Sequence, residues 1–184
     1  MKVLAVSGSL RGDSYNTWLL RAAVEVAGDG VEVDVWGGLK AIPPYDQDDE
    51  QDAPAAVERL REAIAGADAV LFATPEYNHS IPGQLKNAVD WMSRPLATSP
   101  LRNKPVAVIG ASTGAFGAVW AQAELRKVLR AIGARVLGVE AACANAASCF
   151  DRAGRLVDSE LRERLHDVLG ALAAAVDARV ALAA

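Results

Sequence analysis

The sequence predicts an α/β fold in which a parallel β-sheet carries helices on both faces. Short apolar runs alternate along the chain with amphipathic segments of helical spacing, and no longer period repeats. This alternation favours parallel strands that are joined by right-handed helical crossovers. The chain has 184 residues, 52% of them hydrophobic and 23% charged, which suits one globular domain spanning residues 1–184.

The first elements can be located from local patterns. Residues 2–7 form a continuous apolar run, which is typical of a strand buried on both faces. Segment 14–27 then places its apolar side chains on one helical face until Gly28 and Gly30 end it. Alternating valines and acids in 31–36 predict a half-buried strand near an edge of the sheet.

The middle of the chain continues the alternation. Glycines, prolines and acids make 37–52 a loop, and 53–65 has the spacing of a helix. Residues 68–74 form the third apolar strand. The next helix opens at Pro82, because proline suits the first helical turn, and it ends before Pro95.

The last third of the chain completes the pattern. It predicts a buried strand over 104–110, a helix over 118–132, a fifth strand over 135–140 and a long helix from about Asp158. Five parallel strands in a chain of this length fit a flavodoxin-like three-layer sandwich with strand order 2-1-3-4-5.

Charge and composition exclude several classes of protein. The net charge of −4 provides no general attraction for nucleic acid or for an anionic membrane, so an anionic ligand needs a local site. Neither a signal peptide nor an apolar run long enough to span a membrane is present, which predicts a cytoplasmic protein. Cys143 and Cys149 are expected to be buried thiols, and His79 has no partner at metal-ligand spacing.

The chemistry is expected where parallel strands end, because ligands of open α/β sheets bind at the carboxyl edge. The first loop there, Gly8–Asn16, joins a strand to a helix, and its backbone N–H groups, hydroxyls and Arg11 form a candidate anion site. The alternative is an ordinary helix start with Ser14 as N-cap and Arg11 in solvent. The loop matches neither the dinucleotide fingerprint nor a Walker loop.

Two further loops of unusual composition follow strands three and four. Residues 74–83 combine two stiffening prolines with a carboxylate, a phenol, an amide and an imidazole, a set that suits the edge of a planar heterocycle. Residues 110–117 contain three glycines and two hydroxyls, which would let the backbone approach a flat ligand. The alternatives are a structured turn with solvated side chains and a flexible connector.

At these three loops the sequence resembles the NAD(P)H-dependent FMN reductase family, which includes bacterial quinone, azo-compound and chromate reductases. Gly8-Ser9-Leu10-Arg11 with Ser14 and Asn16 is similar to the flavin-phosphate loop of that family. Residues 75–83, together with Leu85–Ala88 and Asp90-Trp91, resemble its most recognisable stretch. Pro44-Tyr45-Asp46 resembles another family segment, and the likeness covers almost the whole chain.

The resemblance implies an enzyme that binds FMN and takes electrons from NADPH or NADH. It implies ping-pong hydride transfer to a small-molecule oxidant such as a quinone, an azo compound or a flavin. No side chain is then obliged to act as an acid or base, and Glu76 and His79 are expected to be structural. The implied cofactor-binding residues are Ser9, Leu10, Arg11, Ser14, Asn16, Pro75, Glu76, Tyr77, Asn78, Ser112, Thr113 and Gly114.

The family commonly assembles, so a homodimer or homotetramer is expected, with Trp91, Met92, Phe116 and Trp120 as candidate interface residues. The alternative for each of these four side chains is packing within the chain itself. Two other interpretations remain open at this stage. One is a flavodoxin-like electron carrier without its own NAD(P)H oxidation, and the other is a non-catalytic flavin-dependent regulator.

Overall fold

The sheet has the predicted order. The structure is a computed structural model that describes residues 1–183, so the last residue of the predicted domain lies outside it. Strands β2, β1, β3, β4 and β5 lie side by side and parallel, and β6 pairs with the carboxyl half of β4. The strand bounds are β1 (Lys2–Ser7), β2 (Glu32–Trp36), β3 (Ala69–Ala73), β4 (Pro105–Ala111), β5 (Arg135–Val136) and β6 (Ala142–Cys143).

Each predicted helix is present, with ends that shift by one or two residues, and α5 is a short addition. Ser14 caps the first helix and accepts a hydrogen bond from the Asn16 N–H, while Asp158 accepts one from Leu161 at the start of the last. The helix bounds are α1 (Tyr15–Val26), α2 (Ala55–Gly66), α3 (Gly83–Met92), α4 (Val119–Ala131), α5 (Ala146–Cys149) and α6 (Ser159–Ala183). Among the described residues, no helix is both long and apolar enough to cross a membrane.

Hydrophobic cores cover both faces of the sheet. On one face α1 and α6 pack together, with Leu19 and Leu165 fully buried. On the other face lie α2, α3 and α4, whose Leu60, Leu85 and Leu125 are buried as well. Strands β1, β3 and β4 are buried on both faces, whereas β2 alternates at an edge, as its sequence predicts.

The prediction of one strand over 135–140 is wrong. The hydrogen bonding to β4 is divided between β5 and β6, and the segment between them is irregular. The buried guanidinium of Arg126 donates to the Val108 carbonyl at 2.8 Å and lies 3.4 Å from the Val139 carbonyl. Because Arg126 occupies the acceptor on β4 that a continuous strand would use, regular pairing is interrupted there.

Trp91 and Met92 do not lie on the surface. The exposed fractions of the two side chains are 0% and 1%, because both project from α3 into the core between the helix and the sheet. The prediction that they belong to a subunit interface is therefore wrong. Phe116 and Trp120 are 61% and 44% exposed, so these two aromatic residues could still contact another subunit.

Candidate functional site

The loop between β1 and α1 turns tightly at the carboxyl edge of the sheet. Gly8 donates to the Ala73 carbonyl at 2.8 Å, and a Cβ at Gly8 would lie 2.8 Å from Leu85. The hydroxyl of Ser9 accepts from the Arg11 N–H, and Ser14 caps α1. The predicted alternative is thus correct about the cap, but the cap does not use all the donors of this loop.

Several donors of the first loop have no partner. Within residues 1–183, the backbone N–H groups of Leu10, Gly12 and Asp13 form no hydrogen bond. Arg11 is exposed and takes part in no ion pair of the described chain. Unpaired N–H groups, a free guanidinium and the positive end of a helix dipole form a donor set that fits a phosphate.

The loop after β3 contains a two-residue reverse turn. Tyr77 and Ser80 exchange backbone hydrogen bonds of 3.0 and 3.1 Å, and Asn78 and His79 between them have φ of 53° and 60°. Both positive angles are those of a type I′ turn, which asparagine tolerates better than most residues. Pro75 is buried at the start of the loop, while Tyr77 and Asn78 extend into solvent at its tip.

The loop after β4 is supported from behind by β6 and α5. The Ser112 N–H donates to the Cys143 carbonyl, and the Ala146 N–H donates back to the Ser112 carbonyl, both at 3.0 Å. Gly117 has φ of 58°, and a Cβ there would lie 2.9 Å from the backbone of Ala142. The loop therefore has little freedom to shift towards the rest of the fold, and its open side faces the other two loops.

The three loops meet around one cavity of about 140 Å³. Nine of the twelve predicted residues line it, and Leu10 lines a second cavity of about 290 Å³ on the other side of the first loop. Asn78 and Gly114 are exposed on the flanking loops. The lining residues are Ser9, Arg11, Ser14, Asn16, Pro75, Glu76, Tyr77, Ser112 and Thr113 from the prediction, with Tyr15 and Ala111 in addition.

The side chain of Asn16 has a role that the sequence did not reveal. Its amide nitrogen donates to the Ala111 carbonyl and its amide oxygen accepts from the Ala111 N–H, each at 3.0 Å. Both residues are 2% exposed. Asn16 therefore fastens the start of α1 to the end of β4, and its assignment as a phosphate ligand stays a prediction.

A cavity of about 210 Å³ lies at the opposite, amino edge of the sheet. Glu32, Asp34 and Glu62 line it together with Lys2. This excess of carboxylates repels an anionic ligand, and the amino edge of a parallel sheet is not where such folds bind ligands. The carboxyl-edge cavity is thus the better candidate for a phosphate-bearing cofactor.

Comparison with known proteins now decides the family. The model of a family described as NADPH-dependent FMN reductase matches residues 1–148. The chain belongs to this family. The assignment confirms an oxidoreductase with FMN as its flavin cofactor and NAD(P)H as its electron donor, and it does not favour the electron-carrier alternative.

Individual relatives agree with the assignment. An NAD(P)H-dependent FMN reductase of Pseudomonas aeruginosa is 44% identical over 174 residues, which is 94% of this chain and 93% of that protein. A quinone reductase of Escherichia coli K12 is 42% identical over 139 residues, covering 74% and 73% of the two chains. FerB, a flavoenzyme NAD(P)H:(acceptor) oxidoreductase from Paracoccus denitrificans, has a TM-score of 0.86 at 35% identity and covers 96% and 97%.

The most recognisable stretch of this reductase sequence has a structural explanation on α3. Asn87 donates to the Pro43 carbonyl at 2.8 Å and accepts from the Tyr45 N–H at 2.7 Å, and the Trp91 indole donates to the same carbonyl at 3.0 Å. The Tyr45 hydroxyl donates to Glu50, and this hydrogen bond is the main reason that the pKa of Tyr45 is raised. Asn87 and Trp91 therefore hold the 43–45 segment against α3.

The two thiols behind the third loop are free and buried, as the sequence predicts. Desolvation raises the pKa of Cys143, and hydrogen bonding to Cys149 acts in the same direction. The thiolate of Cys143 is therefore disfavoured at neutral pH, and the thiol behaves as a small core residue.

Proposed function

We propose that the carboxyl-edge cavity holds FMN and that the chain reduces quinones and related small-molecule oxidants with electrons from NAD(P)H. The observation that carries the proposal is the convergence of the three loops on one cavity beside N–H groups of the first loop that have no partner within residues 1–183. When bound, FMN supplies the redox chemistry, taking up hydride from the nicotinamide and passing electrons to the oxidant. The protein supplies binding, orientation and electrostatics.

The proposed FMN-binding residues form two groups, one for the phosphate and one for the ribityl chain and ring. Ser9, Arg11 and Ser14, with the free N–H groups beside them, would hold the phosphate at the amino end of α1. The segments 75–78 and 112–114 would contact the ribityl chain and ring through backbone and hydroxyl groups. Because the prolines and the support from β6 stiffen these loops, the ring would meet pre-oriented donors and acceptors.

The oxidant class is inferred from the names of relatives. The Escherichia coli relative is named a quinone reductase, and a Burkholderia relative that is 38% identical is named a 2-hydroxy-1,4-benzoquinone reductase. Since one cleft would serve both substrates in turn, initial rates should give parallel lines in double-reciprocal plots. Intersecting lines would contradict a shared cleft.

The decisive experiment mixes the FMN-loaded protein with NADPH and with NADH under anaerobic conditions, followed by a panel of quinones. We expect the flavin absorbance to bleach within the turnover time and to return when quinone is added. An electron carrier would keep its flavin oxidised with either nicotinamide. Bleaching that no oxidant of the panel reverses would contradict the reductase function and favour the regulator.

Assembly and location belong to the same proposal. Phe116 and Trp120 form an exposed aromatic surface close to the cavity, and aromatic side chains are enriched in interface cores. We therefore expect a homodimer or homotetramer in sedimentation at micromolar concentration, and a fully active species near 19.3 kDa would contradict it.

A reductase that draws on NAD(P)H is expected in the cytoplasm, which cell fractionation would test.

A further inference from the structure

We propose that Glu76 is a positioning residue whose carboxylate caps α4 and thereby fixes the two loops on either side of the flavin relative to each other. The inference rests on the proposed function, because it concerns the same cavity. It assigns to the Glu76 side chain a role in the protein framework, distinct from contact with the cofactor and from proton transfer.

The carboxylate of Glu76 replaces a cap that α4 lacks. Its Oε2 accepts hydrogen bonds from the N–H groups of Trp120 and Ala121, both at 3.1 Å. The residue before the helix is Ala118, which has φ of 61° and no side-chain acceptor. A helix start usually receives such bonds from a neighbouring Ser, Thr, Asp or Asn, and a negative charge there also favours the helix dipole.

The other contacts of the β3 loop point to the same helix. The second oxygen of Glu76 lies 3.6 Å from Nδ1 of His79, and the His79 ring packs edge-on against Trp120 with centroids 4.9 Å apart. The hydroxyl of Ser80 donates to Glu124, one helical turn further along α4, at 2.6 Å. Three side chains of the β3 loop, those of Glu76, His79 and Ser80, thus connect it to the first turns of α4.

This attachment determines the width of the cleft. The loop 112–117 leads directly into α4, so a fixed start of α4 also fixes the end of that loop. Asn78 and His79 have positive φ angles, which are unfavourable for most residues. The conformation of the loop after β3 therefore depends on the contacts that retain it. Glu76 is 14% exposed, and its Oε2 is occupied by the two N–H groups of α4.

The test compares Glu76→Ala, Glu76→Gln and the matched control Glu124→Gln, which changes a carboxylate of α4 that contacts the same loop. For the wild type and each variant we would measure the Kd of FMN and of riboflavin, and in the FMN-loaded protein the flavin reduction potential and the melting temperature. Hydrogen exchange at Trp120 and Ala121 would be measured in the cofactor-free proteins. The wild-type protein must first bind and reduce FMN, since its failure to do so would refute the proposed function instead.

We expect Glu76→Ala to weaken FMN and riboflavin alike by about tenfold, to shift the reduction potential and to accelerate exchange at both amides. Glu76→Gln keeps an acceptor oxygen and should recover most of the affinity and protection. Glu124→Gln removes a charge but keeps an acceptor for the Ser80 hydroxyl, so it should resemble the wild type. Wild-type affinity and potential in Glu76→Ala would overturn the inference even if its melting temperature fell. If Glu124→Gln changed the flavin affinity and reduction potential as much as Glu76→Ala, the inference would also be overturned. Loss of one negative charge near the site would then explain both variants, without the cap on α4.

Discussion

Replacing Asn16 by alanine tests whether this side chain stabilises the fold through Ala111 or binds the phosphate of FMN. The substitution removes both hydrogen bonds to Ala111 and leaves a buried N–H and a buried carbonyl unpaired. Each unpaired group costs about 1–3 kcal/mol. Because solvent in the adjoining cavity can reach the vacated space, we take the lower half of the sum, about 2–4 kcal/mol.

This cost is measurable by thermal unfolding. In a chain of this size 1 kcal/mol corresponds to roughly 2–4 °C, so the melting temperature of Asn16→Ala should fall by about 5–15 °C. The matched control is Thr113→Ala, which alters an exposed residue of the same cavity and should change stability by less than about 0.5 kcal/mol.

The measurement can refute the structural reasoning. Unfolding is followed by circular dichroism without flavin, and the Kd of FMN is measured by fluorescence quenching at a temperature where every variant is folded. A melting temperature within about 2 °C of the wild type, together with tenfold weaker FMN binding, would show that Asn16 acts as a phosphate ligand and that its bonds to Ala111 contribute little.

Three further predictions concern other parts of the chain. Arg11→Ala should weaken FMN by about 10- to 100-fold while riboflavin binds unchanged, because only FMN offers a phosphate; an equal loss for riboflavin would contradict the assignment. Asn78→Gly keeps the left-handed backbone, so turnover or flavin potential should change at nearly constant melting temperature, whereas Asn78→Ala should also lose about 1–2 kcal/mol. Hydrogen bonds from Arg155 and Ala153 lower the pKa of Asp151 below 3.8, so its stabilising effect is complete above that pH and is lost as the pH falls through the native value. The difference in melting temperature between the wild type and Asp151→Asn should therefore shrink as the pH falls below 3.8, and a difference that stays constant over that fall would contradict this.

The sequence by itself determined the order of elements and the family, and it predicted the strand order and the position of the site. The order of elements depends on local patterns: apolar runs for buried strands, helical spacing, and glycines and prolines at the ends. The strand order came from the fit of five parallel strands to a known α/β arrangement. The site followed because parallel strands bring their carboxyl ends to one edge, so the loops at residues 8–16, 74–83 and 110–117 had to meet. Nine of the twelve predicted residues line one cavity for that reason.

The tertiary structure alone decided how particular polar side chains are used. Arg126 divides the last strand by taking a carbonyl of β4, and Asn16 uses its amide on Ala111, 95 residues away. Glu76 caps a helix that begins more than 40 residues later. Side chains of these types occur in solvent, at ligands and at helix ends, and here their partners are distant in sequence. Their roles become fixed only when packing brings one unpaired group to another, since a buried group left unpaired would cost stability.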